Sequence, residues 1–167
     1  MTHFETQRCV VRTLEAADLA AFHALQGDPE VMRHTGAPVA TLAEDRASLA
    51  RLAACGDDPQ APLRVWAAAP KAGGPLLGTV ALVRHPAGLP ELGYRLRRVC
   101  WGQGYGTELC AGLIGHGLQT LGLPGLRATV AAENTASVRI LERLMAFERE
   151  AVDPSHGGVD RHYTVWP

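Results

Sequence analysis

A chain of 167 residues with a formal net charge of −1 suits one domain, residues 1–167, with a sizeable core. Its near-neutral balance gives no electrostatic ground for nucleic acid or an anionic membrane surface as partner, and no apolar run approaches the roughly 18 residues of a transmembrane helix. Cys9, Cys55, Cys100 and Cys110 form no CxxC pair and no zinc spacing, and the N-terminus lacks the apolar segment of a signal peptide; four free thiols, no metal and a cytoplasmic location are expected.

In chain order, Cys9–Arg12 reads as a first strand. Thr13 to Leu25 follows as an amphipathic helix with Leu19, Phe22 and Leu25 on one side. Thr41-Leu42-Ala43-Glu44 is a capping box, which starts a second helix running to about Ala54. Arg64–Ala69 and Leu76–Val83 are strands joined by a hairpin turn at Ala72-Gly73-Gly74-Pro75. Pro86 to Pro90 turns the chain into the next strand, Glu91–Leu96.

That strand leads into Trp101-Gly102-Gln103-Gly104-Tyr105-Gly106 and then a helix, with Leu109, Leu113, Gly117 and Leu121 at four-residue steps. A strand, a glycine turn and a helix form an anion site: the first helical turn has N–H groups without internal partners, and glycines let backbone approach a ligand. The ligand expected is a phosphate-bearing one, held around residues 102 to 107. A nucleoside-triphosphate loop would need Lys followed by Ser or Thr where Gly106-Thr107-Glu108 stands. A dinucleotide fingerprint would need GxGxxG after the first strand, whereas this turn reads GxGxG and comes past mid-chain. Gly122 and Pro124-Gly125 end the helix. Leu126–Val130 is a strand, Asn134 caps a helix running to Leu144, and two closing strands are expected near Glu148–Val152 and Arg161–Trp166.

These motifs resemble the GNAT (Gcn5-related N-acetyltransferase) family. Its acetyl-CoA motif, Q/R-x-x-G-x-G/A, is matched by residues 101–106, with Trp101 in place of Gln or Arg. Glu91-Leu92-Gly93-Tyr94 and Trp101 to Glu108 resemble the version of the RimJ/RimL-like ribosomal-protein N-acetyltransferase branch. The opening TQRCVVRTLEAADL, the segment Asp28-Pro29-Glu30-Val31 and Asn134-Thr135-Ala136-Ser137-Val138-Arg139-Ile140-Leu141-Glu142 are similar to further signatures of that family. Met145-Ala146-Phe147 departs from the family's Gly-Phe helix end.

The resemblance implies an α/β (α+β) fold with a mixed sheet of six to seven strands, splayed between the fourth and fifth, flanked by about four helices. It implies acetyl transfer from acetyl-CoA to a primary amine by direct attack. The acceptor would be a protein N-terminal amine or a small amine such as a polyamine, amino acid or drug. A non-catalytic acyl-CoA sensor is the alternative, and a homodimer is in keeping with the family. Tyr94, Arg95, Leu96 and Asn134 would lie along the pantetheine, and Trp101, Gly102, Gln103, Gly104, Tyr105, Gly106 and Thr107 around the pyrophosphate. An oxyanion donor would be a backbone N–H near Leu96. Ser137 would contact the departing sulfur as its acid, and Glu91 would be the base. His34, His116 and Tyr163 are other candidates for the base, with His116 read as packed or solvated. Cys100 shows no partner for covalent catalysis.

Overall fold

The computed structural model describes residues 1–86, 88–154 and 157–167. Among these, eight strands form one sheet: β1 (Thr2–Glu5), β2 (Cys9–Thr13), β3 (Leu63–Pro70), β4 (Gly78–Val83), β5 (Glu91–Leu96), β6 (Leu126–Ala131), β7 (Ala146–Val152) and β8 (Val159–Val165). Five α-helices flank it: α1 (Leu19–Gln26), α2 (Pro29–Met32), α3 (Leu42–Cys55), α4 (Tyr105–Gly115) and α5 (Thr135–Leu144). The strand order is β1-β2-β3-β4-β5-β6-β8-β7. Neighbours run antiparallel except β5 and β6, which run parallel and share the single register pair Glu91–Arg127 among the described residues. The sheet is therefore mixed and splays between β5 and β6, which are the fourth and fifth strands of the sequence reading.

The strand beyond the expected six to seven is β1. Its sequence lacks two-residue alternation, so pattern alone does not reveal it. It forms because it pairs with β2, while Phe4 stacks on His116 at 5.0 Å and His3 packs on Trp66 at 4.9 Å. The first helix is also shorter than expected. Thr13 completes β2, and a 3-10 turn, Ala16–Asp18, precedes α1. The expected turn at Pro86–Pro90 includes Ala87, which lies outside the described residues.

Alternation along the strands loads both faces of the sheet. On one face, Trp66, Val80, Leu82, Leu92, Ala128 and Tyr163 pack with Leu109, Leu113 and Leu141 of α4 and α5. On the other, Val65 and Ala67 pack with Phe22 of α1 and Leu49 and Leu52 of α3. At ~25 cal/mol per Å² of apolar surface, these two clusters are the main stabilising term. Thr41 closes the expected capping box: its hydroxyl accepts the Glu44 N–H at 3.3 Å, and the Glu44 carboxylate accepts the Thr41 N–H at 2.7 Å. At the end of α5, Met145 is already extended (φ −138°, ψ 161°) and its N–H returns to the Leu141 carbonyl at 2.8 Å. The chain thus passes straight from α5 into β7, and the missing glycine is explained: no left-handed cap is made there. Among the described residues no helix is long and apolar enough to cross a membrane.

His116 begins a π-turn, His116–Thr120, that extends α4. Its ring is 6% exposed, and neither ring nitrogen has a hydrogen-bond partner. Burial pulls its pKa down to about 4, with His3 and Arg64 adding to the effect. The folded protein therefore holds it neutral, while the unfolded chain takes up a proton below about pH 6.5. The sign follows: this group removes stability as pH falls from about 6.5 towards 4, and none above that range. Chemical denaturation of wild type and His116→Phe at pH 7 and pH 4.5 measures the effect. We expect the wild type to lose on the order of 2 kcal/mol more than the variant between those pH values. Equal losses would show that His116 is protonated in the fold.

Candidate active site

After β5, a 3-10 turn at Arg98–Cys100 delivers the glycine turn, and the Trp101 indole N–H donates to the Leu96 carbonyl at 2.8 Å. Trp101 thus staples the turn to the end of β5. Gly102 (φ 72°) and Gly104 (φ 82°) both adopt the left-handed region, where L side chains are strained. Gly104 is the N-cap of α4 and supplies no side-chain cap. The first amide to find a helical acceptor is that of Glu108, at 3.1 Å from the Gly104 carbonyl. Among the described residues, the N–H groups of residues 102–107 meet no protein acceptor. Six consecutive donors at a helix N-terminus form a concentrated anion receptor. Gly106 is bare for a different reason: a Cβ there would lie 2.9 Å from Ile140 Cδ1, so it lets α4 pack closely against α5.

The turn is held from below by residues that sequence reasoning did not assign. Arg8 donates through Nη1 to the Gln103 carbonyl at 3.0 Å and through Nε to Glu108 Oε2 at 2.6 Å, with its guanidinium 4.2 Å from the Tyr105 ring centre. Glu108 also accepts the Thr6 hydroxyl at 2.6 Å and the Arg8 N–H at 2.7 Å. Burial alone would raise the Glu108 carboxyl, but these hydrogen bonds outweigh it and hold the group below its ordinary value. The signal available in sequence was Thr6-Gln7-Arg8 beside the Glu of the glycine motif.

The splay exposes one edge of β5. The Arg97 N–H donates to the Leu77 carbonyl at 2.8 Å, which sets the alternation of β5 against β4. Residues 91, 93, 95 and 97 then turn their backbone groups towards β4, and Tyr94 and Leu96 turn theirs towards β6. With β6 paired only at Glu91–Arg127, the N–H groups of Tyr94 and Leu96 face the open gap. Asn134 and Ser137 stand across that gap at the start of α5, where the Asn134 side chain accepts the Ser137 N–H at 3.3 Å. The Tyr94 hydroxyl is buried without a hydrogen-bond partner. Burial pushes it up to about 12, and the neighbouring Ser137 hydroxyl acts against that rise. The fold thus brings Tyr94, Leu96, Asn134 and Ser137 together beside the glycine turn.

Glu91 lies at the closed end of the splay. Its Oε2 takes Arg127 Nε at 3.0 Å, Arg127 Nη2 at 2.9 Å and His85 Nε2 at 3.3 Å. Its Oε1 has no protein partner among the described residues. Glu91 also borders a cavity of about 440 Å³, lined further by Arg127, Thr129, Arg149, Asp160 and His162, on the face of β6 and β8 turned away from α5. The other candidates fall elsewhere. His116 lies in the core beside Phe4 and Trp66, as its packed reading expected. The Tyr163 ring is fully buried in the core against Phe147. His34 reaches Glu133 at 3.4 Å. Cys100 is buried, and burial pushes its thiol up, which suits a thiol and not a nucleophilic thiolate. Among the described residues no group of three or more His, Cys, Asp or Glu could hold a metal ion.

A family model described as an acetyltransferase (GNAT) domain matches residues 8–145. The uncharacterized N-acetyltransferase p20 of Bacillus licheniformis is 27% identical over 150 residues, spanning 88% of this chain and 83% of its own. An acetyltransferase of the GNAT family from Bacillus anthracis superposes with a TM-score of 0.88 at 20% identity, over 99% of this chain and 98% of its own. RimL, a ribosomal L7/L12 alpha-N-protein acetyltransferase solved in complex with coenzyme A, superposes with a TM-score of 0.85 at 14% identity, over 99% and 98%. The structural likenesses are likenesses of fold, and the family model carries the assignment: the chain is an acyltransferase and belongs to the GNAT family of N-acetyltransferases.

Proposed function

We propose that this protein moves the acetyl group of acetyl-CoA to a primary amine by direct attack. One observation carries the reading: the unpaired amides of residues 102–107 adjoin the unpaired edge of β5. The first set fits a diphosphate and the second fits an amide-bearing arm lying as an added strand, so the residues present suit coenzyme A. Trp101, Gly102, Gln103, Gly104, Tyr105, Gly106 and Thr107 would hold the diphosphate, with Arg8 beside them. Tyr94 and Leu96 would hold the arm through their backbone, with Asn134 opposite, whereas the backbone of Arg95, expected to join them, pairs with Thr79 of β4 instead. Bound there, acetyl-CoA supplies the activated acyl group.

The remaining work falls to the chain's own groups. Glu91, oriented through Oε2 by Arg127 and His85, presents Oε1 to take the proton of the acceptor's ammonium. The Leu96 N–H, facing the gap, is placed to donate to a developing oxyanion. Ser137 hydrogen-bonds the departing sulfur and passes it a proton that solvent returns to the serine, and the neighbouring Tyr94 hydroxyl, which keeps its proton at neutral pH, is a donor to the same region. The acceptor is a primary amine. A protein N-terminus, as in the activity for which RimL is named, and a small-molecule amine present the same reacting group. Thiol release from acetyl-CoA against a panel of peptides and small amines tests the reading. Binding of coenzyme A with no release for any amine would favour a sensor instead.

Three substitutions probe the parts separately. Gly104→Val puts a branched side chain at φ 82° in the middle of the glycine turn, its Cβ 3.4 Å from Arg8 Nη2. Its affinity for coenzyme A by calorimetry is expected to fall at least about 100-fold, a loss of ~2.7 kcal/mol; unchanged affinity would remove the loop from the cofactor site. Ser137→Ala should lower kcat about 100-fold while the coenzyme A Kd moves less than about threefold. Equal kcat/KM for this variant and wild type would take Ser137 out of the mechanism. Glu91→Gln is expected to cost about 10²- to 10³-fold in kcat/KM, and a loss under about threefold would assign the base elsewhere.

A further inference from the structure

Arg95 is an unusual residue to find between a sheet and two helices. It stands on the face of β5 turned towards α1 and α3, alternating with Tyr94, whose ring packs into the opposite core. Its Nη1 donates to Gln26 Oε1 at 2.9 Å and approaches the sulfur of Met32 at 3.8 Å. Both contacts are neutral. Burial lowers its pKa, with no carboxylate nearby to oppose the shift.

Four carboxylates of the surrounding elements are engaged elsewhere. Asp28 pairs with Arg98 at 3.3 Å, Asp45 holds His23 and Gln26, Glu133 meets His34, and Glu91 pairs with Arg127. Arg95 is half-buried, and a guanidinium partly withdrawn from water with only neutral protein partners is costly. It is also oriented. The fully buried Asp45 accepts from Gln26 Nε2 at 3.1 Å, and Gln26 in turn accepts from Arg95 through its other amide atom. This network fixes the guanidinium through Nη1 without neutralising it. Among the described residues the Nε and Nη2 donors have no protein partner, and these two form an edge that matches a carboxylate.

Two residues back along β5 on the same face, Gly93 leaves open space: nothing lies within 4 Å of where its Cβ would stand. Glu91 follows two residues further, again on that face. The strand therefore offers a cation, a bare gap and a carboxylate in line. On the strength of this arrangement, and resting on the acetyltransferase reading above, we propose that the acceptor is a small amino-acid-type molecule. Its carboxylate is bound by Arg95 and its amine is directed towards Glu91. A polyamine would bring a second cation to Arg95, and a peptide N-terminus would bring a neutral amide carbonyl in place of the carboxylate.

The experiment compares kcat/KM for acetylation of the common α-amino acids with that for their carboxamides, alongside spermidine and a peptide with a serine N-terminus. It uses wild type, Arg95→Met and Arg95→Lys. A charge-assisted pair predicts that wild type prefers at least one amino acid over its carboxamide by about 10- to 100-fold. Arg95→Met should bring that ratio near one, and Arg95→Lys, which keeps charge but loses the fork, should retain part of it. A purely structural arginine would lower both rates together and leave the ratio intact. A ratio near one in wild type, a preference for spermidine or the peptide, or a ratio unchanged in Arg95→Met overturns the proposal. If Arg95→Met does not fold by circular dichroism, the wild-type ratio and Arg95→Lys decide. No thiol release with any amine, despite coenzyme A binding, overturns the acetyltransferase reading itself and this proposal with it.

Discussion

The structure depends on a sheet that fails to close at one place. β5 and β6 run parallel and touch at Glu91 and Arg127, then part, while the other neighbours pair antiparallel, with register shifts in β1–β2 and β7–β8. Backbone donors and acceptors left without partners are expensive when buried, so a strand edge inside a domain is a demand for a ligand. The demand is directional, because the register of β4 on β5 decides which amides face the gap. The ion pair at the closed end ties β5 to β6 through Arg127, which also contacts the candidate base.

The glycine turn extends the same logic past the end of β5. Its amides form a receptor only if the turn keeps its shape, and glycines by themselves supply freedom instead of shape. The shape comes from outside. Arg8 and Glu108 lock the turn against the β1–β2 connection through contacts of 2.6 to 3.0 Å, and Trp101 ties it back to β5. A half-buried carboxylate such as Glu108, which accepts from the Thr6 hydroxyl, the Arg8 N–H and the Arg8 guanidinium, confers rigidity because three donors from one connection converge on it. An acetyltransferase gains from such preorganisation, since it does not have to order the loop when the donor binds.

The two faces of β5 divide the labour. Tyr94 points into the layer of α4 and α5, where Ser137 sits, the side proposed for the leaving group. Arg95, one residue on, points to the other layer, where it meets Gln26 of α1, the side proposed for the acceptor. Under the proposed function, alternation of a single strand would separate proton delivery to sulfur from recognition of the attacking amine.

Much of this was legible in the chain because it rests on local rules. The caps at Thr41 and Asn134, the left-handed glycines at 102 and 104 and the order of strands and helices follow from residue type within four or five positions. What the sequence left open depends on contacts far apart in the chain. Arg8 meets Glu108 across 100 residues, Arg95 meets Gln26 across 69, and Glu91 meets Arg127 across 36. Strand β1 and the packing of His116 likewise need partners that no local pattern names. Spacing along the chain determined where backbone amides would be bare. Only the tertiary fold decided which charges would be paired and which would be left facing a ligand, because electrostatic pairing follows distance in space.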